Sequence, residues 1–331
     1  MKSKIAYGGF LILSTLFFNI SHAQNDSIAT VKGFIHAKSL GVSLTHEHII
    51  SNFGKRADST SYYNESRLME QVVPYLKGLK EMGIHSIFDC TTAYFGRRID
   101  LLEKISNASG VHIITNTGFY GGANDRYIPK FAYRLSPAEL AEIWTKEFFD
   151  GIEGTSIHPG FIKLAFDSGV PSEIDQKLVE AGILTHLKTG LTLAIHTGEN
   201  IQAAHLTLKL LNEKGVSPNA WIWVHANKVT DDTILLEMAE KGTWISLDGV
   251  KSDNVEAYVL RLLKFKEHDV LHKVLLSHDG NGFPAGGAIR KFDAIPLHLI
   301  PALKSRGFNK SEIDQLLIDN PRKAFLPSIK K

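Results

Sequence analysis

From residue 43 onward the chain alternates short apolar runs with longer amphipathic ones, and this alternation limits the fold more than any other feature. A strand buried on both faces reads as a continuous run of apolar and β-branched residues. A surface helix repeats its apolar positions every three to four. Strand-like runs fall at residues 43–45, 86–89, 111–116, 160–164, 191–196, 221–225, 243–247 and 274–277, and the first extends through Leu44-Thr45-His46-Glu47-His48-Ile49-Ile50. Helices open near Ser66, Ser172, Ile201, Thr230 and Val255, and Gly83, Gly190 and Gly242 stop three of them. Ser136-Pro137-Ala138-Glu139 supplies a serine cap, a proline at the first helical position and the glutamate of a capping box; Gly151 stops that helix. A closing helix is expected at 311–317, ended by Pro321, while 31–35 reads as a strand behind a polar lead-in at 25–29.

Strands separated by helices run parallel and are joined by right-handed crossovers. Eight such units close into a (β/α)₈ barrel of roughly 250 residues, which fits within this chain's 331. The expectation is therefore an α/β, single-domain TIM barrel. An open, doubly wound sheet is the runner-up. Residues 118–122 lack dinucleotide-loop spacing, no phosphate loop is present, and no linker or charge block marks a second domain.

A formal net charge of +2 gives no bulk electrostatic case for nucleic acid. Cys90 is the only cysteine, against 15 histidines, so any metal must sit on nitrogen and oxygen ligands. Ahead of the alternating part, Lys2 and Lys4 precede an apolar run at 5–20 and then Ser21-His22-Ala23. That is the order of a secretory signal peptide, with cleavage expected near Ala23. Residues 1–23 are the expected signal and 24–331 the mature domain, exported to the periplasm or secreted and free of the membrane after cleavage. The run is somewhat short for a span of about 20 apolar residues, which disfavours an uncleaved anchor.

In such barrels chemistry gathers at the carboxyl ends of the strands. The first strand supplies His46 and His48, which strand alternation points one way while Glu47 points the other. Lys163 lies in the fourth strand, His196 ends the fifth, His225 the sixth, and the eighth runs into Asp279. A lysine looks wrong in a metal site. Two chemistries reconcile it: a buried amine of lowered pKa can add carbon dioxide to become an anionic carbamate, or it can form a Schiff base with a carbonyl substrate. Four surrounding histidines favour the carbamate.

The chain resembles the phosphotriesterase family of the amidohydrolase superfamily, which includes lactonases and related esterases. The matching stretches are Gly41-Val-Ser-Leu-Thr-His-Glu-His48, Thr117-Gly-Phe-Tyr120, Gly160-Phe-Ile-Lys163, Ile195-His-Thr197, Val224-His225, Leu276-Ser-His-Asp279 and Asp319-Asn-Pro-Arg322. The resemblance implies a two-metal hydrolase. His46, His48 and Asp279 would bind one ion, His196 and His225 the other, and carboxylated Lys163 (N6-carboxylysine) with a hydroxide would bridge them. Zinc is the first choice of divalent metal; manganese, cobalt and iron also suit these ligands. Asp279 would double as the general base.

Two positions depart from the family pattern. Lys228 stands where many members place a proton-relay aspartate, three residues beyond the strand-six histidine. Asp248 is followed by Gly249 where lactonases usually carry arginine, with Lys251 two further on. Tyr120 matches the tyrosine that lactonases place beside the metals. Lys228 and Lys251, if they face the mouth, suit a carboxylate or phosphate on the substrate; solvated loop lysines are the plain alternative. His278 should face away from Asp279 and pack. Tyr94, Phe95, Phe119 and Phe283 follow strands and are candidates for a pocket wall. The expected activity is hydrolysis of a lactone or related carboxylic ester of small-molecule size. Phosphotriester and amide cleavage are the rivals, and a Schiff-base lyase on Lys163 or a non-catalytic binding barrel are the readings of another class. A homodimer is the oligomeric state to test.

Overall fold

The structure, a computed structural model, describes residues 26–53 and 64–331. The proposed signal segment lies outside the described residues. None of the described helices is long and apolar enough to cross a membrane.

The alternation folds as a (β/α)₈ barrel. Its strands are β3 (Ser43–Glu47), β4 (Ser86–Asp89), β5 (His112–Ile114) continued by β6 (Asn116–Thr117), β7 (Phe161–Ala165), β8 (Leu193–His196), β9 (Trp221–Val224), β10 (Trp244–Leu247) and β11 (Val274–Leu276). β3, β4 and β5 pair in parallel, as do β6 through β11 in order. The third strand breaks at Thr115, so one expected strand appears as two pieces. The circle closes where β11 meets β3. The Asp279 N–H donates to His46 O (3.1 Å), His48 N–H to Gly280 O (2.9 Å) and Gly282 N–H to His48 O (2.8 Å).

Helices α1 (Glu65–Glu81), α2 (Ile99–Ser109), α3 (Pro137–Asp150), α4 (Glu173–Thr189), α5 (Ile201–Glu213), α6 (Asp232–Glu240) and α7 (Val255–Glu267) fill the crossovers. The capping box at the start of α3 forms as the sequence predicts: Ser136 Oγ accepts from Glu139 N–H and the Glu139 carboxylate accepts from Ser136 N–H. Side chains split into two apolar clusters. One lies between helices and strands. The other fills the barrel interior and its amino-terminal end, with Phe88, Phe161 and Trp244 meeting Ile28, Leu40 and Phe325. Phe325 stacks on Phe88 at a 4.0 Å centroid distance.

Two local expectations need correction. The lead-in at 25–29 is not loop throughout: β1 (Ser27–Thr30) pairs antiparallel with β2 (Gly33–His36), and Val31 sits in the turn between them. The polar Ser27 and Thr30 hide this strand, but Ile28 is fully buried at the barrel's base. Pro321 does not end the last helix. A five-residue π turn, Gln315–Asp319, joins α9 (Lys310–Asp314) to α10 (Asn320–Phe325), and Pro321 lies in α10's first turn. There its missing N–H costs little, and the wider turn gives room to its ring. Another short helix is α8 (Ile300–Ser305).

Candidate metal centre

The first pair of candidate ligands depends on a bulge. Leu44 pairs with Ile87 and Glu47 with Asp89, so three steps along β3 match two along β4. Such an extra residue switches which face later side chains occupy. Leu44 packs outward with Ile87. His46 and His48 turn inward, their ring centroids 5.5 Å apart.

Asp279 meets both. Its Oδ1 is 3.4 Å from His48 Nε2 and 3.7 Å from His46 Nε2. The His225 ring lies 4.8 Å from that of His46 and 4.3 Å from that of His196. His46, His225 and Asp279 each offer a ligand atom within 4.8 Å of the others, which makes them a candidate metal site. Lys163 is fully buried, and among the described residues its Nζ has no hydrogen-bond partner. Its ammonium would disfavour the charged form of His46, His48, His196 and His225, so the amine lies within electrostatic reach of all four.

The electrostatics prepare most of these groups for a cation. Burial, helped by the neighbouring cationic groups, holds His196 well below the usual histidine range and pulls His225 down to about 3. Burial also lowers His48, although Asp279 opposes it. Neutral imidazole is the form that ligates. His46 differs. Burial disfavours its charge, yet Cys90 and Asp248 push it up to about 10. Its Nδ1 lies 3.1 Å from Asp248 Oδ2, so a cation at Nε2 can replace one proton while Nδ1–H stays against the carboxylate. Burial would raise Asp279 and Asp248, but the histidines around them hold both well below the carboxylate range. Burial lowers Lys163 from the usual ammonium range, against Cys90, Asp248 and Asp279.

Two site residues occupy left-handed backbone, His225 at φ 61° and Asp279 at φ 52°. Each such residue costs about 1–2 kcal/mol, so other contacts must hold it. The N–H of His225 donates to Asp248 Oδ2 at 2.7 Å. Glu47 fixes the turn that carries Asp279, accepting from Ser277 Oγ (2.8 Å), His278 N–H (3.1 Å), His278 Nδ1 (2.7 Å) and Gly280 N–H (2.6 Å). His278 Nε2 accepts from Ile295 N–H, which fixes the tautomer. His278 therefore packs away from the centre, as strand alternation predicts.

Three supporting residues were not assigned a role from sequence. Asp248 touches His46 and His225 and is itself held by Ser246 Oγ (2.6 Å) and Asn227 Oδ1 (3.1 Å). Its place at a strand end was the available signal. Thr91 Oγ1 lies 2.8 Å from His48 Nδ1, and nothing in the sequence marks it. Gly118, at φ 108°, lets the third strand pass Lys163: a Cβ there would lie 2.3 Å from the Lys163 carbonyl oxygen.

Beside the centre opens a cavity of about 530 Å³, lined in part by Tyr120, Phe166, Val170, His196, Glu199 and Lys228. Tyr120 Oη is 2.7 Å from His196 Nδ1. Lys228 is exposed, and a Cβ added at Gly198 would lie 3.9 Å from both Lys228 Cδ and His196 Nε2, so both side chains border that glycine. Lys251 does not line this cavity; its N–H donates to Asn254 Oδ1 in the loop after β10. Phe95 stands against His48 (5.3 Å) and Tyr120 (5.1 Å) and forms an aromatic wall, whereas Phe119 packs on Trp144. Arg97 is buried and tied to Glu147 and Glu153, so it braces the fold.

The family model for the phosphotriesterase family matches residues 26–325. The chain belongs to that family. Its relatives include an aryldialkylphosphatase of Saccharolobus solfataricus, 26% identical over 313 residues, 89% of this chain and 98% of the relative. An N-acetyltaurine hydrolase of Xenopus tropicalis is 26% identical over 343 residues, covering 89% and 96%. A phosphotriesterase homology protein of Escherichia coli is 24% identical over 297 residues, covering 86% and 98%. Phosphotriesterase-family enzymes are metal-dependent hydrolases, and the donor set here fits that chemistry: three imidazoles that burial keeps neutral, a fourth set against Asp248, an ionised carboxylate and a buried amine without a partner among the described residues.

Thr91 provides a direct check on the histidine that it orients. Thr91→Val keeps shape but removes the hydroxyl. Metal affinity should fall about 10–100-fold with the fold intact, as read by competition titration with a chromogenic chelator.

Proposed function

We propose that this chain is an exported two-metal hydrolase of a lactone or related carboxylic ester. The observation that carries the reading is the set of His46, His48, His196, His225 and Asp279 around Lys163, whose Nζ has no hydrogen-bond partner among the described residues. In this reading His46 and His48 with Asp279 would hold one divalent ion and His196 with His225 the other, and Lys163, as its carbamate, would supply the anionic ligand among them. Zinc suits the ligands best. Such a pair, when bound, acidifies water and polarises the oxygen of the scissile group. Asp279, ionised and one-third exposed, takes the proton that the attacking water gives up. Tyr120 keeps its phenol proton, because burial raises its pKa above the usual tyrosine range. It can therefore donate a hydrogen bond at the wall of the cavity. Export rests on the basic, apolar and small-residue order of residues 1–23.

The test is a substrate panel with metal analysis. About two divalent ions per chain and lactone or ester hydrolysis abolished by chelation are expected; activity that survives full chelation overturns the reading. The relatives' names span a phosphatase and an N-acyl hydrolase, so the panel includes a phosphotriester and an amide.

Lys228 has no ion-pair partner among the described residues and borders the cavity near His196, which suits an anionic group on the substrate. Lys228→Met should raise KM about tenfold or more for a carboxylate-bearing lactone, the worth of one charged hydrogen bond. It should leave kcat nearly unchanged and a neutral lactone unaffected. Equal effects on both lactones would exclude that role.

A further inference from the structure

A second cavity, of about 460 Å³, lies at the opposite end of the barrel. Its lining includes Trp244 at the start of β10, Lys273 just before β11, Lys323 in α10, and the tail residues Lys330 and Lys331. Several lysines elsewhere pair with carboxylates, among them Lys104 with Glu65, Lys188 with Glu142, Lys241 with Glu237 and Lys266 with Glu312. These four do not. Among the described residues, none of Lys273, Lys323, Lys330 and Lys331 makes an ion pair, and no carboxylate side chain lines the cavity.

The cluster is built rather than scattered. Lys273 Nζ donates to Asn219 Oδ1 and sits 4.7 Å over the Trp244 ring. Lys330 Nζ donates to Thr192 Oγ1 (3.0 Å) and Ala324 O (3.2 Å). The tail is pinned by Lys330 N–H to His186 Nε2 (3.1 Å) and Ser217 N–H to Lys330 O (3.0 Å). Ser217 Oγ accepts from the Asn219 N–H and Nδ2 (3.3 and 3.4 Å), so its own proton remains for a ligand. Holding these ammonium groups together has an electrostatic cost. Burial, then the neighbouring lysine, lowers Lys273 and pushes Lys330 down to about 8. An anion with several oxygens relieves that repulsion, and lysine ammonium groups bind phosphate as point charges.

We propose that this cavity binds a phosphate-bearing small anion, held by Lys273, Lys323, Lys330 and Lys331 with Ser217 as a neutral donor. The site is separate from the metal centre and independent of the reaction read there. Inorganic phosphate is the probe, titrated into the metal-loaded protein at constant ionic strength and followed by calorimetry and thermal unfolding. The expected result is saturable binding at one site, with Tm rising on the order of 5 °C at a hundredfold excess over Kd. The double variant Lys323→Ala/Lys331→Ala, at two exposed positions, should weaken binding at least tenfold and leave ester hydrolysis unchanged. Equal affinity in the variant, matching stabilisation by chloride, or competitive inhibition of hydrolysis with the same Kd would each overturn the site. A parallel arm uses phosphatidylglycerol vesicles. Lysine-dependent vesicle binding without saturable phosphate binding would also overturn it, in favour of a lipid headgroup.

Discussion

Lys163→Met should lower hydrolysis at least ~10³-fold, about 4 kcal/mol of transition-state stabilisation, and strip most of the bound metal. Methionine keeps the apolar stem and removes only the amine, so the barrel should fold. The wild-type residue is fully buried, with no hydrogen-bond partner for Nζ among the described residues. A permanent ammonium in such a place is costly. Burial instead lowers the pKa, which frees a lone pair. That amine can bond to the carbon of carbon dioxide and release a proton to solvent. The product is an anion among four imidazoles, three of which burial keeps neutral, where a group able to hold cations is wanted. Protein stripped of carbon dioxide should therefore lose activity and regain it with bicarbonate, and Lys163→Glu should keep part of the metal. Lys163→Met within tenfold of wild type would defeat the carbamate. Borohydride trapping of a substrate adduct on Lys163 would replace it with the Schiff-base reading.

How much of this was legible in the sequence depended on whether a signal was local. Strand ends are local: an apolar run followed by His196, His225 or Asp279 before a turn is visible without coordinates. Simple alternation predicts that His46 and His48 point the same way. Their shared face follows from that period, but their inward side is set by the β3 bulge, which no residue type announces. Thr91 and Asp248 were missed because their roles arise between strands that are distant in sequence. Asp248 reaches His46 across about two hundred positions. The β1 strand and the split at Thr115 were hidden by short length and polar residues, since pairing rather than composition defines them. Lys228 and Lys251 look alike in sequence; only the fold puts one at the cavity and the other in a neighbouring loop.

Asp279→Asn isolates the proton from the metal. The substitution keeps the size of the side chain and one carbonyl-type oxygen near His46 and His48, but an amide cannot accept the proton of the attacking water. The residue is well placed for that duty. Its Oδ1 faces both histidines, its N–H is tied to His46 O, and about a third of its side chain is open to the mouth. The surrounding histidines keep it ionised despite burial. The expected loss is about 10²–10⁴-fold in kcat, the range of general acid–base contributions. The decisive comparison is with Thr91→Val at saturating metal. The threonine variant should recover activity, because its defect is affinity. The asparagine variant should not recover, because its defect is the missing base. Recovery of Asp279→Asn with excess metal would reduce Asp279 to a ligand and send the proton elsewhere.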